Sequence, residues 1–341
     1  MSKGAKIWLI AAGALILFGG LIFVVTMSIL KWDFKGLSTE KCETNYYEIT
    51  DPFTSIDIDT ETSDVYLVPS EDGKCSVECV EMKNLKHTAS VKDGKLKIKL
   101  NDTRKWYEHI GIVFSSTKIT LSIPKGEYER LTANGSTGDV NIPSELSFES
   151  IDVTSSTGNI NINSSASGKI TARATTGSVS LEGLSASSVD VSVSTGDVSI
   201  LGANVRGDIS IEVSTGRTRI SDTSAGSITT EGSTGDLSLN KVVSTGRLLI
   251  ERSTGDVSLD NTVAADIDIT TDTGDVKFDR SDATEIKVRT DTGSVLGNLL
   301  SDKIFFARSD TGRIDVPKTT VGGRCDIETD KGNIIITVAG K

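Results

Sequence analysis

"VSTGDVSI", Val193 to Ile200, decides the fold, because the chain keeps returning to it. Close copies read "GSTGDLSL" at 232–239, "RSTGDVSL" at 252–259 and "TDTGDVKF" at 271–278. With the glycine as marker, the copies fall at Gly138, Gly158, Gly177, Gly196, Gly216, Gly235, Gly255, Gly274, Gly293, Gly312 and Gly332. Every step is 19 or 20 residues, and only the last copy lacks the threonine, having Lys331 instead. A period held that constant marks a repeat architecture.

Inside each unit the hydrophobic period is two, which is strand behaviour. Pairs such as Val140/Ile142, Val179/Leu181 and Val257/Leu259 stand two and four residues after the marker. Pairs such as Ile151/Val153, Ile209/Ile211 and Ile286/Val288 stand seven and five before it. Each unit is therefore two short half-buried strands joined at Ser-Thr-Gly-Asp, with glycine supplying the positive φ of a type II turn. One such unit cannot bury its apolar face alone, whereas stacked copies can. The pattern predicts an all-β solenoid, one coil per 19–20-residue unit, rising about 4.8 Å per coil into a rod on the order of 50 Å. A propeller needs four strands and about 40 residues per blade.

The frame extends backward in degenerate form. "SIDIDTETSDVYLVP" (55–69) fits if Ser63 replaces the marker glycine, "TASVKDGKLKIKL" (88–100) fits at Gly94, and "TKITLSIP" (117–124) supplies Ile119 and Leu121. In the column four after the marker, Phe278 precedes Gly297, and the ring is expected to lean into the space above the glycine.

Ahead of the repeats, residues 7–30 run 24 residues without a charge. That length suits a bilayer and is long for a signal-peptide core; neither a small-x-small cleavage site nor a lipobox cysteine follows. The expectation is an uncleaved signal-anchor in the cell membrane with the β domain extracytoplasmic. The chain divides into tail and membrane segment (1–30), juxtamembrane linker (31–47), degenerate first coils with insertions that cap the rod (48–130), and regular solenoid repeats (131–341).

With 36 Lys+Arg against 47 Asp+Glu the formal net charge is −11, and no basic stripe is visible, which argues against nucleic acid as a partner. The four cysteines do not form a disulfide scaffold: Cys75 and Cys79 are too far apart along one strand to bond each other. Cys325 falls in an apolar column and reads as an inert buried thiol, and no C-x-x-C metal spacing occurs.

Several motifs imitate chemistry. "DTGS" at 291–294 matches an aspartic-protease half site, yet it lies in the turn register where other coils carry Ser-Thr-Gly. Two residues before the marker, serine or threonine gives way to Asp272, Asp291, Asp310 and Asp330. Stacked in register, these carboxylates are about 5 Å apart and need compensation, from turn N–H groups and Arg313 or from a hard cation such as Ca²⁺. Without a glycine-rich calcium repeat the turn reading is favoured, and no other cofactor is expected. "NDTRKWYEHIGIVF" (101–114) breaks the pattern, and Arg104, Trp106, Tyr107 and His109 read either as a recognition loop or as cover for the open first coil.

The membrane segment, the stretch "TSIDIDTETSDVYLVPSEDGKCSVEC" (54–79) and the repeated "STGDVSI" units together resemble a bacterial family of β-strand-repeat proteins of unknown function, labelled "putative adhesins". The resemblance covers most of 48–341 and implies an envelope solenoid in adhesion or stress signalling, with no catalytic residues to carry over. The expected function is a non-enzymatic interaction surface, adhesin or envelope scaffold, for an envelope protein or glycan. Edge-to-edge self-association is expected at the C-terminal coil, whose last strand has nothing after it to cover it. The alternative is a carbohydrate-active β-helix enzyme, which would require outward acids and aromatics side by side across neighbouring coils.

Overall fold

The computed structural model describes residues 3–32, 42–103 and 117–339. A helix, α1 (Lys3–Ile29), precedes a β-solenoid in which successive coils pair as parallel ladders. Side chains at the paired inward positions are buried: Ile170, Val189, Ile209 and Ile228 stack on one ladder, and Val179, Val198, Thr218 and Leu237 on the next. Each such aliphatic side chain fully withdrawn from water contributes about 1.5–3 kcal/mol. The central coils have a third, two-residue strand that the two-strand reading omitted, as at Ser185–Ala186 and Asn204–Val205. Small inward residues line this side, among them Ala186, Ala225 and Ala264.

The Ser-Thr-Gly-Asp signature has a different physical basis from a type II turn. From Gly138 to Gly274 the markers have φ between 130° and 158°, well past the turn's value of about 80°. A Cβ on Gly158, Gly177, Gly196, Gly216, Gly235, Gly255 or Gly274 would land on the carbonyl oxygen of the marker in the coil before. The glycines are thus stacked backbone on backbone, and each N–H donates to the threonine carbonyl of the coil after, as from Gly177 to Thr195 at 2.9 Å. The residue following the marker ties the same joint from outside. Asp197 accepts the N–H of Arg217 at 2.9 Å, Asp236 that of Asp256 at 3.0 Å and Asp256 that of Asp275 at 2.9 Å.

A second positive-φ column behaves differently. Gly183, Gly202, Asp222, Lys241, Asn261 and Arg280 occupy equivalent positions with φ from 45° to 65°, and a Cβ at Gly183 meets nothing. Side chains are tolerated there because the conformation is ordinary left-handed helix with open space around it. One core column also breaks its pattern in a compensated pair. Arg252 is buried, and its guanidinium occupies the volume that a side chain on its register partner Gly232 would fill.

At both ends the coils stack out of chain order. β2 (Ser55–Thr60) and β3 (Ser63–Pro69) form a coil with Ser63 in the marker position, since Gly138 sits on the Ser63 carbonyl. The next chain segments are β4 (Cys75–Met82), β5 (Leu85–Lys92), β6 (Lys95–Asp102), β7 (Thr117–Ile123), β8 (Glu127–Thr137) and β9 (Val140–Ile142). β2 lies between β6 and β8, and β3 between β7 and β9, so the earliest coil is flanked on both sides. Gly94 is no marker: Lys92 pairs with Lys95 across a two-residue hairpin turn at Asp93-Gly94, with φ 54° and 71°. Residues 42–47, read as linker, belong to β1 (Cys42–Ile49), which pairs antiparallel with β4; β4 pairs with β7, and β5 with β6. These antiparallel strands cap the first coil.

The C-terminal end repeats the inversion. Gly323–Lys331 lies between Val276–Thr292 and Lys303–Thr311, pairing Cys325 with Ile286 on one side and Phe305 on the other. Ile334–Val338 likewise lies between Val295–Leu299 and Ile314–Asp315. The last coil is therefore interior, and the expected edge at the C-terminal coil is overturned. The outermost coil is 303–315. Gly322 and Gly323 let the chain thread through, since Cβ atoms there would strike the carbonyls of Asp302 and Thr284. Around this crossing, buried Lys303 reaches Asp282 at 2.6 Å, joining the outermost coil to the one on the far side of the inserted strand.

Phe278 is buried as expected, but Gly297 is not there to make room for its ring. Gly297 has φ 140° and a Cβ would meet the Phe278 backbone, so the constraint is the main chain.

Two consequences are measurable by denaturant unfolding. Positive-φ strain costs about 1–3 kcal/mol and the carbonyl overlap adds to it, so Gly196→Ala is expected to lose more than about 3 kcal/mol, with Gly183→Asn within about 1 kcal/mol of the parent. Equal losses at the two sites would contradict the distinction drawn between the columns. Lys303→Ala leaves Asp282 unpaired and should cost about 3–5 kcal/mol, much of it recovered by Lys303→Met with Asp282→Leu. An unchanged midpoint for Lys303→Ala would remove the pair from the account.

Candidate functional site

The two ends of the rod differ, and the difference locates the candidate site. At the first coil, β1, β4 and β5 cover the ladder ends. At the other end, Lys303–Thr311 pairs with Gly323–Lys331 on one side, and no described strand pairs with its other side. A strand edge of this kind presents main-chain N–H and C=O groups to whatever approaches. Apolar side chains surround it: Phe306 is 55% exposed, and Leu300, Ile314 and Val321 are exposed as well. Core columns end here too, so Phe305, Ala307 and Val316 are only partly buried. Arg324 stacks over the Phe306 ring at 4.9 Å. Arg308 lies 3.3 Å from Asp310 and 3.7 Å from Glu328, and Arg313 pairs with Asp315. The edge is an apolar strip framed by ion pairs, all of them exposed.

The aspartate column is placed by the same topology. Asp272, Asp291, Asp310 and Asp330 are all exposed, and the inserted coil puts Asp330 between Asp291 and Asp310 in stacking order. Asp310 takes its charge partner from Arg308. Arg313, offered as compensation for the column, pairs instead with Asp315. Arg104, Trp106, Tyr107 and His109 lie outside the described residues.

A different donor set emerges in the cap. Among the described residues, Cys79, Glu81 and His87 are the group whose ligand atoms all lie within 4.8 Å of one another. Strand alternation puts Cys79 and Glu81 on the inward face of β4, and the short β4–β5 connection returns His87 beside them. All three are buried. His87 Nδ1 is 2.7 Å from Glu81 Oε2, and its Nε2 is 3.0 Å from Thr60 Oγ1. The His87 main-chain N–H donates to Glu81 Oε2 at 2.6 Å, and Asn45 Nδ2 donates to Glu81 Oε1 at 2.7 Å. Burial pushes the Cys79 thiol up to about 12, with the neighbouring carboxylates Glu81 and Glu78 adding to the rise. Cys325 is buried, as its column implied, and burial raises its thiol to about 12. The signal for the cap cluster was a C-x-E on one strand followed closely by a histidine, a spacing that matches no common metal motif.

Among solved structures, a "putative lipid binding protein" from Parabacteroides distasonis is 17% identical, with a TM-score of 0.47 over 77% of this chain and 98% of that one. A "putative adhesin" from Parabacteroides merdae is 13% identical, with a TM-score of 0.37 over 88% and 98%. A "putative cell adhesion protein" from Clostridium sporogenes is 8% identical, with a TM-score of 0.30 over 87% and 100%. No curated protein matches the chain. The family profile described as Toastrack DUF4097 matches residues 53–226 and again 206–341. The chain belongs to the Toastrack DUF4097 family.

Proposed function

We propose that this chain is a membrane-held, extracytoplasmic rod whose open end binds the open end of a second copy, a non-enzymatic self-recognition surface of the kind an adhesin needs. The unpaired strand Lys303–Thr311 carries the reading. A two-fold antiparallel pairing about Ser309 sets Arg308 of one copy opposite Asp310 of the other, twice, which is the self-complementarity an isologous contact requires.

Anchoring fits the same picture. The most apolar 18-residue window within residues 4–29 of α1 has mean hydropathy 2.6; residues 4–29 contain one basic residue, and at 1.5 Å per residue they extend about 40 Å, enough for a hydrocarbon core of about 30 Å. The nine residues between α1 and β1 that lie outside the described segments reach at most about 30 Å. They tether the capped end near the membrane and leave the open end farthest from it.

The alternative enzyme reading required acids and aromatics side by side. Glu212, Glu231 and Glu251 do stack in register along a groove of about 450 Å³, but no aromatic side chain lines it.

Liposomes carrying the full-length chain with its domain outward are expected to aggregate. Arg308→Asp should reduce aggregation at least tenfold by opposing two aspartates, and Arg308→Asp with Asp310→Arg should restore it. Dispersed parent liposomes, or a charge swap that fails to restore aggregation, would overturn the proposal.

A further inference from the structure

The Cys79–Glu81–His87 cluster has more order than a buried hydrogen-bond triad needs. A triad requires a donor, an acceptor and an orienting partner, and Thr60, His87 and Glu81 already supply these. Cys79 adds a soft donor within 4.8 Å of the other two ligand atoms. One sulfur, one imidazole nitrogen and one carboxylate oxygen make a set suited to a borderline cation, not to Ca²⁺ or Mg²⁺, which take oxygen.

The surrounding groups match what such ligands require. A ligating histidine usually donates its other ring N–H to an acceptor that fixes the tautomer. Nε2 of His87 faces Thr60 Oγ1, which leaves Nδ1 turned toward Glu81. The carboxylate is held as well, with Asn45 on Oε1 and the His87 main-chain N–H on Oε2. Each ligand therefore comes from the cap, and the two orienting side chains come from β1 and the first coil. Charge closes in the same direction: a thiolate and a carboxylate balance a dication, so the buried site is neutral when filled.

We propose that Cys79, Glu81 and His87 bind one Zn²⁺ ion, oriented by Thr60 and Asn45, with water in the fourth position. The ion clamps β4 and β5 to one another and, through Thr60, to the first coil. This site is independent of the open end and of any self-recognition there.

The test uses the full-length chain in detergent, stripped with a chelator and titrated with Co²⁺ and then Zn²⁺. One equivalent of Co²⁺ should produce a thiolate-to-cobalt charge-transfer band, and Zn²⁺ should displace it. Cys79→Ser should abolish the band and Cys325→Ser should leave it intact. Thr60→Val, close in shape to the parent, should weaken Co²⁺ binding about 10–100-fold, as loss of an orienting partner does. If Cys79→Ser fails to fold, the parent titration and Thr60→Val decide. Absence of a thiolate band in the folded parent, its survival in Cys79→Ser, or unchanged affinity in Thr60→Val would overturn the proposal and leave the cluster a hydrogen-bonded triad.

Discussion

The contact on which this rod depends is that of each marker glycine on the carbonyl of the marker in the coil before. Gly158 through Gly274 approach so closely that a single Cβ would displace the neighbouring coil. This fixes the separation of coils at one corner, and the parallel ladders then carry the register along the strands. It also explains the sequence around the glycine. Serine and threonine keep the approach small and polar, and the following aspartate or asparagine accepts the N–H of its counterpart in the next coil, as Asn159 Oδ1 accepts that of Ser178 at 3.0 Å. A carboxylate here is bonded to the main chain of the next coil, and Asp197 also pairs with Arg217 of the same column at 3.7 Å.

The order of that stack determines what the ends do. A terminal coil held by one ladder opens more easily than a coil held by two. Here the earliest coil and the last coil are both placed one step inside, each covered by a segment whose chain connections run on both sides. The coverings differ in kind. At the first coil it is an antiparallel cap, sealed by the buried polar cluster of β4 and β5. At the other end it is a coil with its outer edge unpaired, secured by Lys303 reaching past the inserted strand to Asp282. Stability and exposure are therefore separated: the chain ends are protected, while the open edge is made of residues from the middle of the C-terminal region.

Much of this was legible in the sequence and some was not, for definable reasons. The step between glycines and the alternation of Val, Ile and Leu report the coil and its inward face directly, and even Ser63 was identifiable in the marker position. Coil order was not, because the columns of 293, 312 and 332 carry interchangeable residues; either stacking buries the same kind of face. The relevant signals were quieter: the Gly322-Gly323 pair and a lysine at 303, in register with Gly323. Gly94 misled because a hairpin and a coil both place Leu96 and Ile98 inward, and both use a glycine with positive φ. Strand β1 was missed because "CETNYYEI" alternates polar with partly apolar residues on a surface strand. The cap cluster was invisible because Thr60 and Asn45 meet it only through pairing across the fold.

The central claim is that the final coil lies between its two predecessors, and a disulfide measurement tests it most directly. Thr292 and Lys331 are register partners on adjacent parallel strands, whereas Thr311 lies beyond Lys331. Neighbouring strands bring Cα atoms to about 4.8 Å, within disulfide range, while two ladders away is about 10 Å and out of it. With Cys42→Ser as background, Thr292→Cys paired with Lys331→Cys should cross-link on mild oxidation, and Thr292→Cys paired with Thr311→Cys should not. Cross-linking of the 292–311 pair, with the 292–331 pair left reduced, would mean that the coils stack in chain order and would contradict the account.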